Sequence, residues 1–248
     1  MPEDRFRFIV KAVYDLLPTP LNKNKWFGEE GVCRQCGGNG SLTHILSGCK
    51  ASLADGKYKW RHDQVLREIA QSVEEKRKEK NSAPRDRGGG KIDFVRPGEK
   101  KKKRVTPSPL NSYFDGAEDW TLSVDLDGKL RVPEKVSDTN LRPDMLLLSD
   151  SSKRMGIVEL TVPSEERVEI SGEIKREKYQ RIVQDGKERG WTVRVWTVEV
   201  GVRGFPAASM ASFLKDLGIG GGERNRALRR IGEAAESGSR AIWRWSCM

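Results

Sequence analysis

Apolar positions along the chain follow two periods, and the switches between them mark out the elements. Phe6, Phe8-Ile9-Val10, Val13-Tyr14 and Leu16-Leu17 recur at helical spacing until Pro18 and Pro20 stop the pattern, and Leu21 to Phe27 reads as an irregular lead-in. Val65, Leu66, Ile69 and Val73 define one face of a second helix, which runs on into a solvated charged end, Glu74 to Lys80. From Trp120 to Leu126 the period falls to two, the mark of a half-buried strand, and Asp127-Gly128 turns the chain before Leu130-Arg131-Val132. Met145 to Leu148 and Ile157 to Val162 are strand-length apolar runs separated by Ser149-Asp150-Ser151-Ser152, so they read as adjacent strands. A helical segment carrying Lys175 and Lys178 follows, and Gly190 breaks the chain before the β-prone run Thr192 to Val200. A helix around 207–217 presents Met210, Phe213, Leu214 and Leu217, Gly218 to Gly222 end it, and a basic amphipathic helix spans Arg224 to Glu236. Helix, strands, helix, strand, helix is the order of an α/β fold, a mixed sheet with helices on both faces.

Composition narrows the partners more than the fold. The chain has 248 residues, 36% of them hydrophobic and 33% charged, so part of it is expected to lie outside any core. Lys and Arg number 46 against 36 Asp and Glu, a net charge of +10 that permits a polyanionic partner such as nucleic acid. No apolar run approaches the ~20 residues of a membrane-spanning helix, and no signal-peptide core is present. The first helix has no obvious partner of its own, which reads as a piece of something longer.

Three of the four cysteines cluster with one of the two histidines: Cys33, Cys36, His44 and Cys49, a C-x-x-C pair followed by seven residues, H, four residues and C. Two cysteines in a glycine-bounded turn present both thiolates to one ion, and His44 and Cys49 close a tetrahedral shell that suits structural Zn²⁺. The alternative is a set of free buried thiols beside a surface histidine. Cys247, in the tail, is incidental to this set.

The chemistry-bearing stretch runs from Leu141 to Tyr179. Asp144 stands just ahead of one strand and Glu159 lies within the next, where a carboxylate is poorly placed unless a cation or metal compensates it. Two acids on neighbouring strands offer hard oxygen ligands suited to Mg²⁺ or Mn²⁺. Lys175 and Lys178, three residues apart, share a helix face directed back at the acids. In the alternative, Asp144 caps a turn and Glu159 faces solvent on an edge strand. His62 and Asp63, ahead of Val65, serve either the same site or the cap of their helix.

This arrangement resembles the PD-(D/E)xK restriction-like nuclease core, with Pro143-Asp144 as the PD and Glu159 as the second acid. The lysine usually found two residues after that acid is Thr161 here. In the restriction-like endonucleases of site-specific non-LTR retrotransposon proteins the lysine lies on the following helix in a K-x-x-K-Y pattern, which Lys175-Arg176-Glu177-Lys178-Tyr179 matches. The order of a CCHC unit, W-R-H-D-x-V-L at Trp60–Leu66, L-R-P-D at Leu141–Asp144, E-L-T-V-P at Glu159–Pro163 and K-x-x-K-Y is similar to the C-terminal half of those proteins over roughly residues 10–245. The resemblance implies metal-dependent hydrolysis of a DNA phosphodiester in the nucleus, with Asp144 and Glu159 on Mg²⁺ and Lys175 or Lys178 stabilising phosphate charge. Tyr179 would position the lysine helix and Arg142 would neutralise a neighbouring phosphate. It also implies a reverse-transcriptase region elsewhere in such a protein and element RNA as a further partner.

On this reading residues 1–30 are a helical lead-in, 31–52 a zinc knuckle, 53–218 a restriction-endonuclease-like domain and 219–248 a basic helix and tail. Residues 81–112 form a Pro-, Gly- and Lys-rich loop whose run Lys100, Lys101, Lys102, Lys103 and Arg104 suits phosphate contact or a nuclear-localisation signal, with Ile92-Asp93-Phe94-Val95 as a short strand inside it. Trp243 and Trp245, interleaved with Arg240 and Arg244, either stack on bases or pack on the core, packing being the expectation. The competing function is a nucleic-acid-binding remnant without catalysis.

Overall fold

The computed structural model describes residues 3–82 and 112–247. In chain order its elements are α1 (Glu3–Val13), α2 (Pro20–Phe27), a π-helical turn at His44–Gly48, α3 (Lys50–Ala54), α4 (Lys57–Ser82), β1 (Thr121–Val124), β2 (Met145–Ser149) and β3 (Arg154–Thr161). Then come a 3₁₀ turn at Glu165–Arg167, α5 (Val168–Lys178), α6 (Gln180–Glu188), β4 (Thr192–Glu199), α7 (Ala208–Asp216) and α8 (Gly221–Cys247). The four strands form one sheet in the order β1-β2-β3-β4. The first two pairings are antiparallel and β3–β4 is parallel, with α5 and α6 making the crossover that a parallel pair requires. The chain is therefore mixed α/β, a four-stranded mixed sheet flanked by helices.

Alternation along β2 and β3 sorts their side chains onto two cores. Met145, Leu147, Val158 and Leu160 pack with Val65, Leu66, Ile69 and Val73 of α4 and with Met210, Phe213 and Leu214 of α7. Leu146, Met155 and Ile157 face the other way, onto Tyr179, Ile182, Trp191 and Val136. Helix α6 lies close on this side because residue 186 is glycine: a Cβ there would meet Val193 Cγ2 at 2.4 Å.

Several expectations change. Leu21 to Phe27 is helical rather than irregular: Pro20 fits the first turn, where no N–H is needed, and the Thr19 hydroxyl accepts the Asn22 N–H at 3.3 Å. Leu130–Val132 is not a strand; β1 pairs with β2 instead, and Leu130 and Val132 sit among the α6-side core residues just ahead of Pro133, which has no N–H for a ladder. Helix α1 does have a partner. Its Phe8 and Ala12 join Leu42, Ile45, Leu46, Val202 and Ile242 in a third buried cluster, and Arg5 pairs with Glu233 and Glu236 on α8. Helix α8 runs eleven residues beyond Glu236, to Cys247. Trp243 packs on Phe8 at 5.8 Å between ring centroids, whereas Trp245 stays 40% exposed beside Trp60, so packing describes only the first. The Lys100–Arg104 run and the expected strand at Ile92–Val95 lie outside the described residues.

Candidate metal centre and candidate active site

The Cys33–Cys49 segment gathers four ligand atoms from a short stretch of chain. Gly37 takes a positive φ of 69° and donates its N–H to the Cys33 carbonyl at 2.8 Å, which closes the turn carrying both cysteines, and Gly38 leaves room for the imidazole, since a Cβ there would stand 3.1 Å from His44 Cε1. The Sγ atoms of Cys33, Cys36 and Cys49 and a ring nitrogen of His44 all lie within 4.8 Å of one another. Cys33 Sγ and Cys49 Sγ are 3.8 Å apart, and Cys36 Sγ is 3.2 Å from His44 Nε2. Two thiolates each ~2.3 Å from a tetrahedral ion sit about 3.8 Å apart, so the spacing fits zinc. Burial lowers the His44 pKa and keeps the ring neutral with a lone pair to donate. Burial opposes ionisation of both inner thiols. It wins at Cys33, while at Cys49 the backbone N–H and hydroxyl of Ser52 outweigh it and push the thiol down. These four residues are positioned to bind a metal ion.

The acid–lysine cluster is drawn from elements far apart in sequence. The β2–β3 register pairs Met145 with Val158; carried one residue further, it sets Asp144 opposite Glu159. Two like charges directly opposite repel, so the pair must be compensated. Glu159 is 2% exposed on the central strand β3, between β2 and β4, which excludes the solvent-facing edge position. Its Oε1 meets Lys175 Nζ, with Lys178 Nζ at 3.4 Å, and its Oε2 accepts the Tyr179 hydroxyl at 2.7 Å. Burial and the adjacent Glu159 carboxylate both raise the Tyr179 pKa, so it acts as a donor. Asp144 Oδ2 accepts the Leu160 N–H at 2.7 Å, which fixes it on the neighbouring strand.

His62 closes the group from α4. Its Nε2 lies 3.4 Å from Asp144 Oδ2 and its Nδ1 3.3 Å from Asp63 Oδ1, while Asp63 also pairs with Lys59. Burial alone would depress the His62 pKa; the two aspartates outweigh it and raise the value. Helix α4 begins at Lys57, so His62 and Asp63 are in its second turn and do not cap it. Arg142 is the exception among the expected residues. Its guanidinium donates to the Gly128 carbonyl, and only its own backbone oxygen reaches the cluster, accepting from Tyr179 at 3.3 Å. Thr161, in the position of the usual lysine, buries a hydroxyl oxygen that has no hydrogen-bond partner.

Two residues escaped the sequence reading. Tyr58 and Arg61 sit one turn apart on α4, and both bond to the backbone of the metal-binding segment. Their spacing of three, with Val65 four further on, is the only sequence signal that they share a face. No family model matches the chain, and no curated protein matches it.

Proposed function

We propose that the chain is a metal-dependent DNA endonuclease of restriction-like type, similar to the zinc-knuckle and endonuclease region of site-specific non-LTR retrotransposon proteins, acting in the nucleus. The observation that carries this reading is the pair Asp144 and Glu159, opposed across β2 and β3, with Lys175, Lys178 and Tyr179 of the next helical segment converging on Glu159. The strand order of the mixed sheet, with a helix leading into it and helices crossing from β3 to β4, also supports the restriction-like assignment.

Asp144 and Glu159 would hold Mg²⁺ or Mn²⁺, which when bound supplies Lewis-acid polarisation of the phosphate and a more acidic water. The Leu160 N–H and His62 keep Asp144 oriented, and Tyr179 fixes Glu159, so neither carboxylate must reorganise during the reaction. Lys175 makes the closer contact with Glu159 and holds it. Lys178, the more distant and 35% exposed, is free to turn to the scissile phosphate and stabilise the charge that develops there. Hydrolysis adds the water oxygen to phosphorus and breaks the bond to the 3′ oxygen. The products are a 5′-phosphate and a 3′-hydroxyl, the end from which a reverse transcriptase primes. DNA, and RNA of the element, are the partners; the +10 charge favours both.

A second reading, a binding module without catalysis, draws on one observation: both oxygens of Glu159 and one of Asp144 already have partners within the chain. Incubation of supercoiled plasmid with Mg²⁺ or Mn²⁺ separates the two. Wild type should convert the plasmid to open circles, and Asp144→Ala and Lys178→Ala should bind it without nicking. Equal nicking by wild type and Asp144→Ala refutes the proposal, and binding without nicking by all three establishes the second reading.

A further inference from the structure

The first turns of α4 touch both polar clusters. The Tyr58 hydroxyl accepts the Cys49 N–H at 2.9 Å and donates to the Ile45 carbonyl at 2.9 Å, so it grips the backbone inside the π-helical turn and just after it. One turn on, Arg61 is 2% exposed and its guanidinium joins three segments. Nη1 donates to the Leu46 carbonyl, inside the metal-binding stretch, at 2.9 Å and to Ser239 Oγ on α8 at 3.0 Å. Nη2 donates to the Val162 carbonyl at 3.3 Å, three residues beyond Glu159. The next residue is His62, on Asp144.

Arg61 is an expensive way to fill this space. Burial pulls its pKa down to about 10, only partly offset by Tyr58 and Glu165. Its Nε has no hydrogen-bond partner, and no carboxylate forms an ion pair with it among the described residues. An apolar side chain of the same length would pack there with less desolvation penalty. Helix α8 even leaves a gap for it, since a Cβ on Gly238 would stand 2.6 Å from Arg61 Cγ. What a planar fork provides, and a hydrocarbon chain cannot, is a fixed distance between two acceptors on different segments.

We propose that Arg61 is a positioning residue that couples the Cys/His metal unit to the acid–lysine site, holding the exit of β3 against the π-helical turn so that an ordered metal unit sets the placement of Glu159 and Asp144. The coupling rests on geometry alone; its effect on nicking rests on the nuclease reading above. The test is amide hydrogen exchange on the full zinc-loaded chain, wild type and Arg61→Met, each with and without a zinc chelator, with metal content measured in parallel. In Arg61→Met the metal should stay bound. Exchange in 159–163, which includes the Leu160 amide on Asp144, should speed up by about threefold to thirtyfold while 208–216 is unchanged. Chelation should produce the same rise in wild type and add little in the variant.

Unchanged exchange in 159–163 overturns the proposal. So does an equal rise in 208–216, the pattern of a residue that merely stabilises the whole core, and so does a chelation effect that adds in full to that of the variant. Arg61→Lys, whose single ammonium cannot span Leu46 and Val162, carries the same comparison if the methionine variant does not fold. In steady-state nicking Arg61→Met should lower kcat and leave KM for DNA unchanged. An inactive wild type would count against the nuclease reading and leave the exchange result standing.

Discussion

The two polar clusters that α4 connects solve the same electrostatic problem in opposite ways. The Cys/His cluster packs three thiols and an imidazole within 4.8 Å, and no side-chain cation is hydrogen-bonded to its sulfurs among the described residues. The acid–lysine site brings its own cations, Lys175 and Lys178, and a buried tyrosine donor. One cluster presents four ligand atoms that an ion could hold together; the other has both oxygens of Glu159 and one of Asp144 paired before any ion arrives. The first should behave as a structural element whose stability follows the metal. The second should hold its shape without a divalent ion of its own, as long as the Cys/His unit is loaded, and take up that ion only as lysine contacts yield.

Chelation tests that contrast with the largest expected effect. Binding of structural zinc is worth on the order of 10 kcal/mol, comparable with the whole stability of a domain. Chelation, or Cys49→Ser, should therefore melt the third hydrophobic cluster, with Phe8, Leu42 and Ile45 losing protection in hydrogen exchange while β2 and β4 keep theirs. Uniform loss would show that the sheet does not stand apart from the metal unit.

The acid–lysine site should be broken functionally before it is broken structurally. On the nuclease reading Asp144→Ala removes a ligand of the divalent ion, so single-turnover nicking should fall about a thousandfold, far more than the loss of its one hydrogen bond to the Leu160 N–H would lower stability. Tyr179→Phe deletes a hydrogen bond to a buried carboxylate and should lower stability by about 1.5–3 kcal/mol in urea titration, with the same metal content as wild type. A neutral result would mean that the lysines alone satisfy Glu159.

The smallest effect concerns pH. The native pKa of His62 is raised by Asp144 and Asp63, so the stability it contributes is fully present below its unfolded value of about 6.5 and is lost as pH rises through the higher native value. Melting curves of zinc-loaded protein without added magnesium should show this slope, and His62→Gln should flatten it.

The ease with which each cluster could be read from sequence follows from its construction. Cys33, Cys36, His44 and Cys49 lie close in the chain, so spacing alone declared them and the structure brings them together. Asp144 and Glu159 were legible because each adjoins or lies in a strand-length apolar run, and the lysines because a helix repeats at three and four. Arg61 and Tyr58 were not legible as a link. Their partners are backbone carbonyls and amides, which leave no trace in residue type, and the Arg61–Val162 contact spans a hundred residues of intervening chain. The missing hairpin at Leu130–Val132 and the helix at Pro20–Phe27 have the same origin: strand choice and capping were decided by β2 and by Thr19. The mixed sheet itself followed from periodicity.

A nuclease at this site requires that Asp144 and Glu159, already paired within the chain, still accept a divalent ion. Calorimetric titration of Mn²⁺ into the zinc-loaded chain measures this directly. Wild type should take up Mn²⁺ at a site that is lost in Asp144→Ala and in Glu159→Ala and kept in Lys178→Ala. No uptake by wild type, or uptake unchanged in the two acid variants, would rule out a divalent-ion site on these carboxylates.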